Sequence, residues 1–294
     1  MPTAHSTLGP PDALAHGDFE MVVRRLADDL AFGMDASLFV GSGLEYAQSR
    51  LYQPGDSVKM IDWRLTARTG KAHVKEYQTL KRTSIHLVVD TSASMAVAST
   101  PLSKHDLAVW IAAAIGLVGQ RRLSPVAVLG AGERETRHQP TLNKNEFFHA
   151  LEPLRLAHYG EGTRLAERLD DLDVRADRSS VIVVLSDMHD LDAVASLRRI
   201  AQRHDVIGLH LEDPSEAHAR ERGLRAGFFR GREAETGRVF LAHGRTRIAR
   251  AAEALREDLL KAGVSYLRLM TDEPFLAPLR HFLASRGAFA RGRG

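Results

Sequence analysis

From residue 85 onward the chain alternates short apolar runs with longer amphipathic segments, and this alternation constrains its fold more than any other feature. A short apolar run between polar residues is typical of a strand buried on both faces, and the segments between the runs have the period of helices. We therefore predict a Rossmann-like, doubly wound α/β fold whose mostly parallel sheet carries helices on both sides. The predicted strands are residues 85–90, 125–130, 180–187, 205–211 and 264–270, and the predicted helices are residues 104–122, 144–156, 164–172, 190–203, 245–262 and 275–286.

The rest of the chain divides around this pattern. Residues 18–32 have the apolar spacing of one amphipathic helix. The segment that follows is broken by glycines and by Pro54-Gly55-Asp56, which favours small strands and tight turns. The predicted domains are an N-terminal helix and tail (1–36), a small β-rich segment (37–84), the α/β domain (85–286) with an irregular or hairpin insertion at 212–244, and a tail (287–294).

Composition excludes several classes of protein. The 294 residues contain no cysteine, so any metal must be held by oxygen or imidazole ligands. Forty basic residues against 37 acidic ones leave a net charge of +3, which is too small to make a polyanion the expected partner. The N-terminal residues lack the pattern of a secretory signal, and the longest uncharged apolar stretch, 107–119, is shorter than the roughly 20 residues that cross a bilayer. We expect a soluble, cytoplasmic protein.

The most informative polar residues stand where the first strand of the α/β domain ends. Asp90, Ser92 and Ser94 alternate there, and alternate side chains of an extended segment face the same way. One carboxylate and two hydroxyls can then meet at a common centre, and hard oxygen ligands suit Mg²⁺. The simpler alternative is a strand-to-helix turn in which these residues only cap the following helix.

Two further residues belong to the same prediction, because a doubly wound sheet binds ligands at the carboxyl ends of its strands where the strand order reverses. Asp187 ends another predicted strand, and Thr163 stands in a glycine-flanked loop that opens a helix. If the two strands are neighbours, five oxygen-bearing side chains converge. An ordinary helix cap remains the alternative for Thr163, and a polar strand end for Asp187. The candidate metal ligands are Asp90, Ser92, Ser94, Thr163 and Asp187.

This set of residues resembles the metal-ion-dependent adhesion site of von Willebrand factor type A domains. A run upstream of it resembles the signature of the bacterial family known as domain of unknown function 58. The resemblance extends from about residue 37 to residue 286. The upstream motifs are Arg50-x-Tyr52-x-x-Gly55-Asp56, Ile61-Asp62-Trp63 and Ala67-Arg68-Thr69, and the C-terminal motif is Thr271-Asp272-Glu273-Pro274 with Leu279 to Leu283.

One position departs from the type A pattern. The last aspartate of the adhesion site is commonly followed by glycine in those domains, whereas Met188 follows Asp187 here. Asp190 or Asp192 could therefore share or take over the role of Asp187.

The resemblance implies a non-enzymatic, metal-dependent protein-binding module. It would hold one Mg²⁺, or Mn²⁺ or Ca²⁺ in its place, and a partner's acidic side chain would complete the coordination. Members of the resembled family are commonly linked with MoxR-type AAA+ ATPases, which implies an adaptor or chaperone-like role in protein maturation or complex assembly. The chain lacks a P-loop of its own, since its only Gly-Lys pair, Gly70-Lys71, is followed by alanine.

The alternative function is a metal-dependent phosphohydrolase, because an aspartate after the first strand of a Rossmann-like sheet also begins aspartyl-phosphate enzymes. Those enzymes resemble D-x-D-x-T, and Ser92 stands where they have the acid/base carboxylate. The arginine-rich residues 219–250 favour a solvated loop or a protein-docking surface over nucleic-acid binding, because few aromatic residues accompany them. Trp63 is predicted to be a core residue, and His189 to face solvent.

Overall fold

The structure is a computed structural model, and it describes residues 5–7, 18–32, 44–79, 83–134, 136–176, 180–216, 228–232, 239–243 and 252–290. Its strands are β1 (His5–Thr7), β2 (Leu44–Leu51), β3 (His73–Thr79), β4 (Ile85–Val89), β5 (Val126–Gly130), β6 (Arg137–Thr141), β7 (Leu156–His158), β8 (Val181–Ser186), β9 (Asp205–Glu212), β10 (Phe228–Arg232), β11 (Val239–His243) and β12 (Ser265–Met270). Its helices are α1 (Phe19–Ala31), α2 (Trp63–Thr69), α3 (Ala93–Ala96), α4 (Lys104–Arg121), α5 (Lys144–Leu151), α6 (Leu165–Arg175), α7 (Leu191–Ile200), α8 (Ala252–Lys261) and α9 (Leu276–Ala290).

A six-stranded sheet forms the centre of the α/β domain, with the strand order β12-β9-β8-β4-β5-β6. All neighbouring strands are parallel except β6, which pairs antiparallel with β5 at one edge. The predicted mostly parallel, Rossmann-like α/β sheet is confirmed. Its strands β4, β5 and β8 are buried along their whole length, as their continuous apolar sequences require.

Helices cover both faces of this sheet. Side chains from α1, α4, α5 and α9 pack in one apolar cluster with alternate residues of β4 and β8. The remaining alternate residues of these strands pack against α6, α7 and α8 in a second cluster. Each face of the sheet thus packs against its own layer of helices. This packing holds in place the strand ends that carry the candidate site. No helix in the described ranges is long and apolar enough to span a bilayer.

The predicted elements of the α/β domain are confirmed, with differences at their ends. The helix predicted over 144–156 ends at Leu151 and continues as a 3-10 turn, Glu152–Arg155, because Pro153 cannot donate a backbone hydrogen bond. In the insertion, β10 and β11 form an antiparallel hairpin, while residues 217–227, 233–238 and 244–251 lie outside the described residues. The tail at 291–294 also lies outside them.

Residues 44–79, which we call the N-terminal platform, contain an antiparallel pair of strands, β2 and β3, with a 3-10 turn and α2 between them. The described part of the predicted β-rich segment thus has strands and turns, and it also has a short helix. The prediction that Trp63 is a core residue is wrong, because 67% of its surface is exposed. Trp63 is the first residue of α2, a helix with no buried residue that lies between the two strands of a two-stranded sheet in the sequence.

Candidate metal centre

The candidate site lies where the strand order of the central sheet reverses. The chain passes outward from β4 to β5 and β6, and then continues on the other side of β4 with β8, β9 and β12. β4 and β8 are parallel neighbours, and the Asp90 amide extends their ladder by donating to the Leu185 carbonyl at 2.9 Å. Asp90 and Asp187, which follow the two strands, therefore emerge side by side at the edge where doubly wound sheets bind ligands.

Asp90 is buried, with 2% of its surface exposed. One of its carboxylate oxygens accepts a hydrogen bond from the Ser92 amide at 3.0 Å, and the other accepts one from the Ser186 hydroxyl at 2.7 Å. The hydroxyl oxygens of Ser92 and Ser94 lie 3.2 Å apart. The alternation of these three residues therefore brings one carboxylate and two hydroxyls together, as predicted. Ser186 is a neighbour that the sequence pattern did not identify.

Helix capping alone does not account for Ser92. This residue stands at the N-cap of α3, a helix of 4 residues, yet in this described segment its hydroxyl makes no capping hydrogen bond. The hydroxyl contacts that of Ser94 instead. The capping alternative therefore explains where the backbone of Ser92 lies. It does not explain why the Ser92 hydroxyl points towards Ser94.

Asp187 is the second buried carboxylate, with 3% of its surface exposed. Its Oδ2 accepts a hydrogen bond from Lys104 Nζ at 2.9 Å and lies 3.4 Å from Nδ1 of His189, whose side chain is 39% exposed, so His189 faces solvent only in part. A hydrogen bond from the Ser94 hydroxyl also lowers the pKa of Asp187. Ser94 therefore links the Asp90 side of the centre to the Asp187 side.

The two carboxylates have opposite electrostatic environments. Burial raises the pKa of Asp90 to about 7, and the negative charge of Asp187 adds to this shift. Burial acts in the same direction on Asp187, but the positive charge and hydrogen bond of Lys104, with an electrostatic contribution from His189, outweigh it and hold the pKa of Asp187 at about 2. Asp187 is thus ionised at neutral pH, and its charge opposes the ionisation of Asp90.

Lys104 is a residue of the candidate site that the sequence pattern did not identify. Its side chain is fully buried, and its ammonium contacts Glu216 Oε1 at 2.5 Å as well as Asp187. Lys104 is the first residue of α4, where the helix dipole disfavours a cation. Lysine side chains are mostly exposed, so the sequence gives no signal that Lys104 is buried or that carboxylates compensate its charge.

Thr163 lies on a loop next to the β4–α3 connection. The Ala93 amide donates to the Glu161 carbonyl at 2.7 Å, which ties the two loops together. Thr163 itself forms a backbone bridge with Gly132, just after β5, and its hydroxyl accepts from the Leu165 amide at 3.3 Å. The structure thus joins four of the five predicted residues in one network and puts the fifth on the adjoining loop, where its hydroxyl supports the first turn of α6.

Asp190 and Asp192 belong to α7. Asp190 is the N-cap of this helix, and its side chain accepts from the amide of Asp192 at 2.9 Å, while Asp192 is exposed. Asp187 is therefore the carboxylate that contacts the centre. Met188 has a φ of 55°, a left-handed conformation that favours glycine, so the backbone directly after Asp187 turns sharply at a residue that has a side chain.

A second hydrogen-bonded group fixes the chain that leaves α3. Asp213, which follows β9, accepts from the amide and the hydroxyl of Ser99 at 2.7 and 2.5 Å. The hydroxyl oxygen of Thr100 lies 3.1 Å from that of Thr271, which follows β12, within hydrogen-bond distance. The carboxyl ends of β9 and β12 therefore hold the segment between α3 and α4, and with it Ser94 and Lys104, against the sheet.

The residues present fit a hard divalent cation. In the described ranges no three His, Cys, Asp or Glu side chains form a group that could hold a metal, so most protein ligands would have to be hydroxyls. Mg²⁺ tolerates this because it keeps several water molecules and needs only one or two carboxylates. When Asp90 is ionised, it adds a second negative charge to that of Asp187 beside the single ammonium of Lys104, which Glu216 also contacts.

The fold and this site define an α/β protein with a buried, oxygen-lined centre at the switch point of its sheet. A comparison with known families matches a range that includes the motifs noted above between residues 50 and 69. Residues 48–266 match the family described as protein of unknown function DUF58, and the chain belongs to that family. Its relatives include uncharacterized proteins of Mycobacterium bovis and Mycobacterium tuberculosis, each 33% identical over 296 aligned positions that cover 96% of this chain and 92% of the relative.

Proposed function

We propose that this chain is a non-enzymatic, metal-dependent protein-binding module whose α/β domain is of the von Willebrand factor type A kind. The proposed ion is Mg²⁺, with Mn²⁺ or Ca²⁺ as possible substitutes. Its proposed ligands, bound directly or through water, are Asp90, Ser92, Ser94, Thr163 and Asp187. When bound, the ion would supply a positive charge with a coordination position that an acidic side chain of the partner can fill.

One observation carries the proposal. Two buried carboxylates that follow neighbouring strands meet beside two serine hydroxyls, and when both are ionised their two negative charges exceed the single positive charge of Lys104. Burying unbalanced charge is costly, and a dication would balance it. Neutral serine ligands leave more of the ion's charge available to an incoming carboxylate than a ring of acidic ligands would. This favours binding over hydrolysis, as does Ser92 at the position where phosphohydrolases have an acid/base carboxylate.

The partner we propose is a MoxR-type AAA+ ATPase or its client, and the role is that of an adaptor or chaperone-like factor in protein maturation or complex assembly. This part of the proposal rests on the resemblance of the sequence motifs to a family whose members are commonly linked with such ATPases. ATP turnover would come from the partner, since Gly70-Lys71 does not form a P-loop. A cytoplasmic location belongs to the same proposal, and cell fractionation tests it.

The partnership predicts a metal-dependent complex. A purified MoxR-type AAA+ ATPase should be captured by the immobilised chain in Mg²⁺, and Asp90→Asn should reduce the captured amount at least tenfold. Asp192→Asn is the matched control, because Asp192 is an exposed carboxylate on α7. Both variants are compared in Mg²⁺ and not in a chelator, because removing Mg²⁺ would also affect the ATPase itself. Equal capture by the wild type and Asp90→Asn would contradict the proposed docking mode.

A further inference from the structure

The polar signature residues of the N-terminal platform are used to build it. The Arg50 guanidinium donates to both carboxylate oxygens of Asp56, at 2.7 and 2.8 Å, and this pair closes the turn after β2. Asp62 caps α2 by accepting from the Leu65 amide at 3.0 Å, and it also accepts from the Ser49 hydroxyl at 2.9 Å. These side chains therefore have structural partners within the platform.

Three apolar residues close to these polar ones in the sequence are exposed to solvent. Trp63 is 67% exposed, Val58 is 63% exposed and Met60 is 41% exposed, and all three stand within six residues of one another. A tryptophan buries more apolar surface than most residues when it is covered, so leaving it in water forfeits a large favourable term. Clusters of this kind on a surface mark sites of interaction, and tryptophan is among the residues that dominate protein–protein binding energy.

Three basic residues follow these apolar ones closely in the sequence. Arg64 and Arg68 are exposed and stand four residues apart on α2, and the exposed Lys71 follows the helix. Within the described ranges none of the three takes part in an ion pair. Like charges at this spacing repel each other, and a negatively charged occupant would relieve this repulsion.

We propose that Val58, Met60, Trp63, Arg64, Arg68 and Lys71 form a docking surface for an acidic segment of a partner protein that carries at least one aromatic or aliphatic side chain. The apolar side chain of the segment covers Trp63, and its carboxylates meet the arginines. A membrane surface is the less favoured occupant, because α2 has 7 residues and is too short to lie in an interface as an amphipathic helix. This inference does not depend on the metal centre.

A display library of random 16-residue peptides, panned on the full chain in EDTA, tests the proposal without a contribution from the metal centre. The selected peptides should be acidic and contain an aromatic or aliphatic residue. Synthetic copies should bind in calorimetry with a Kd that weakens at least tenfold in Trp63→Ser and in Arg64→Glu/Arg68→Glu. Val174→Ser, which changes an exposed apolar residue of α6, should leave the Kd unchanged. Circular dichroism checks that each variant is folded.

Tryptophan fluorescence gives an independent readout. The chain has two tryptophans, and Trp110 is 5% exposed, so a shift of emission to shorter wavelength on adding the synthetic peptide reports the covering of Trp63. Selection of no peptide that depends on Trp63 would overturn the proposal. So would Trp63-dependent binding to vesicles of phosphatidylglycerol and phosphatidylcholine without any such peptide, because it would identify a membrane as the occupant.

Discussion

Replacing Lys104 with methionine is expected to lower the free energy of unfolding by about 3–5 kcal/mol at neutral pH. Methionine keeps the length and the apolar stem of lysine, but it cannot donate to Asp187 or Glu216. Asp187, which is 3% exposed, would be left without its main counter-charge. The effect should be large because removing one partner of a buried ion pair leaves the other charge uncompensated.

Urea unfolding at pH 7, in the presence of EDTA, measures this effect. Lys261→Met is the control, since Lys261 is 74% exposed and its ion pair with Glu257 is long, at 3.5 Å; it should change stability by no more than about 0.5 kcal/mol. Adding Asp187→Asn to Lys104→Met should restore part of the lost stability, because it removes the uncompensated charge. A loss below about 1 kcal/mol in Lys104→Met would mean that Asp187 does not depend on this lysine.

The stability of the protein should fall between pH 8 and pH 5 by roughly 2 kcal/mol through His105 alone. Burial lowers the pKa of this histidine from 6.5 to about 4. The unfolded chain therefore binds a proton near pH 6.5, while the folded chain does so only near pH 4. Stability that is fully present above the first value is lost as the pH falls towards the second.

Comparison with His105→Gln isolates this contribution. Glutamine keeps a donor for the Leu154 carbonyl, which His105 Nε2 contacts at 2.7 Å, and it does not titrate. Unfolding by urea at pH 8 and pH 5 should show a smaller pH-dependent loss in His105→Gln than in the wild type, whereas the exposed His149→Gln should match the wild type. Parallel profiles for the wild type and His105→Gln would show that His105 does not set the acid sensitivity.

Much of the α/β domain could be predicted because its strands are buried on both faces, which makes them continuous apolar runs such as 181–186. β6 escaped prediction because it is an edge strand with the polar sequence RHQPT, in which Pro140 removes a backbone donor. Trp63 was assigned to the core because large aromatic residues are mostly buried. Trp63 is exposed in a platform whose sheet has only two strands, β2 and β3, and composition does not predict the number of strands.

In the candidate site, too, some residues could be predicted from the sequence and others could not. Asp90, Ser92 and Ser94 could be predicted together because their alternation is local. Lys104 could not be assigned to Asp187, which lies 83 residues further along the chain, because only the parallel pairing of β4 with β8 and the packing of α4 bring them together. Sequence patterns identify local convergence well and long-range charge pairing poorly.

Isothermal titration with Mg²⁺ and Mn²⁺ tests the metal centre most directly, using the wild type, Asp90→Asn and the control Asp192→Asn. The account predicts that the wild type and the control bind one ion per chain, and that 100-fold excess over Kd stabilises both by about 2.7 kcal/mol. Asp90→Asn should show neither binding nor stabilisation. Ion binding by Asp90→Asn with the affinity of the wild type, or no binding by the wild type, would contradict the account.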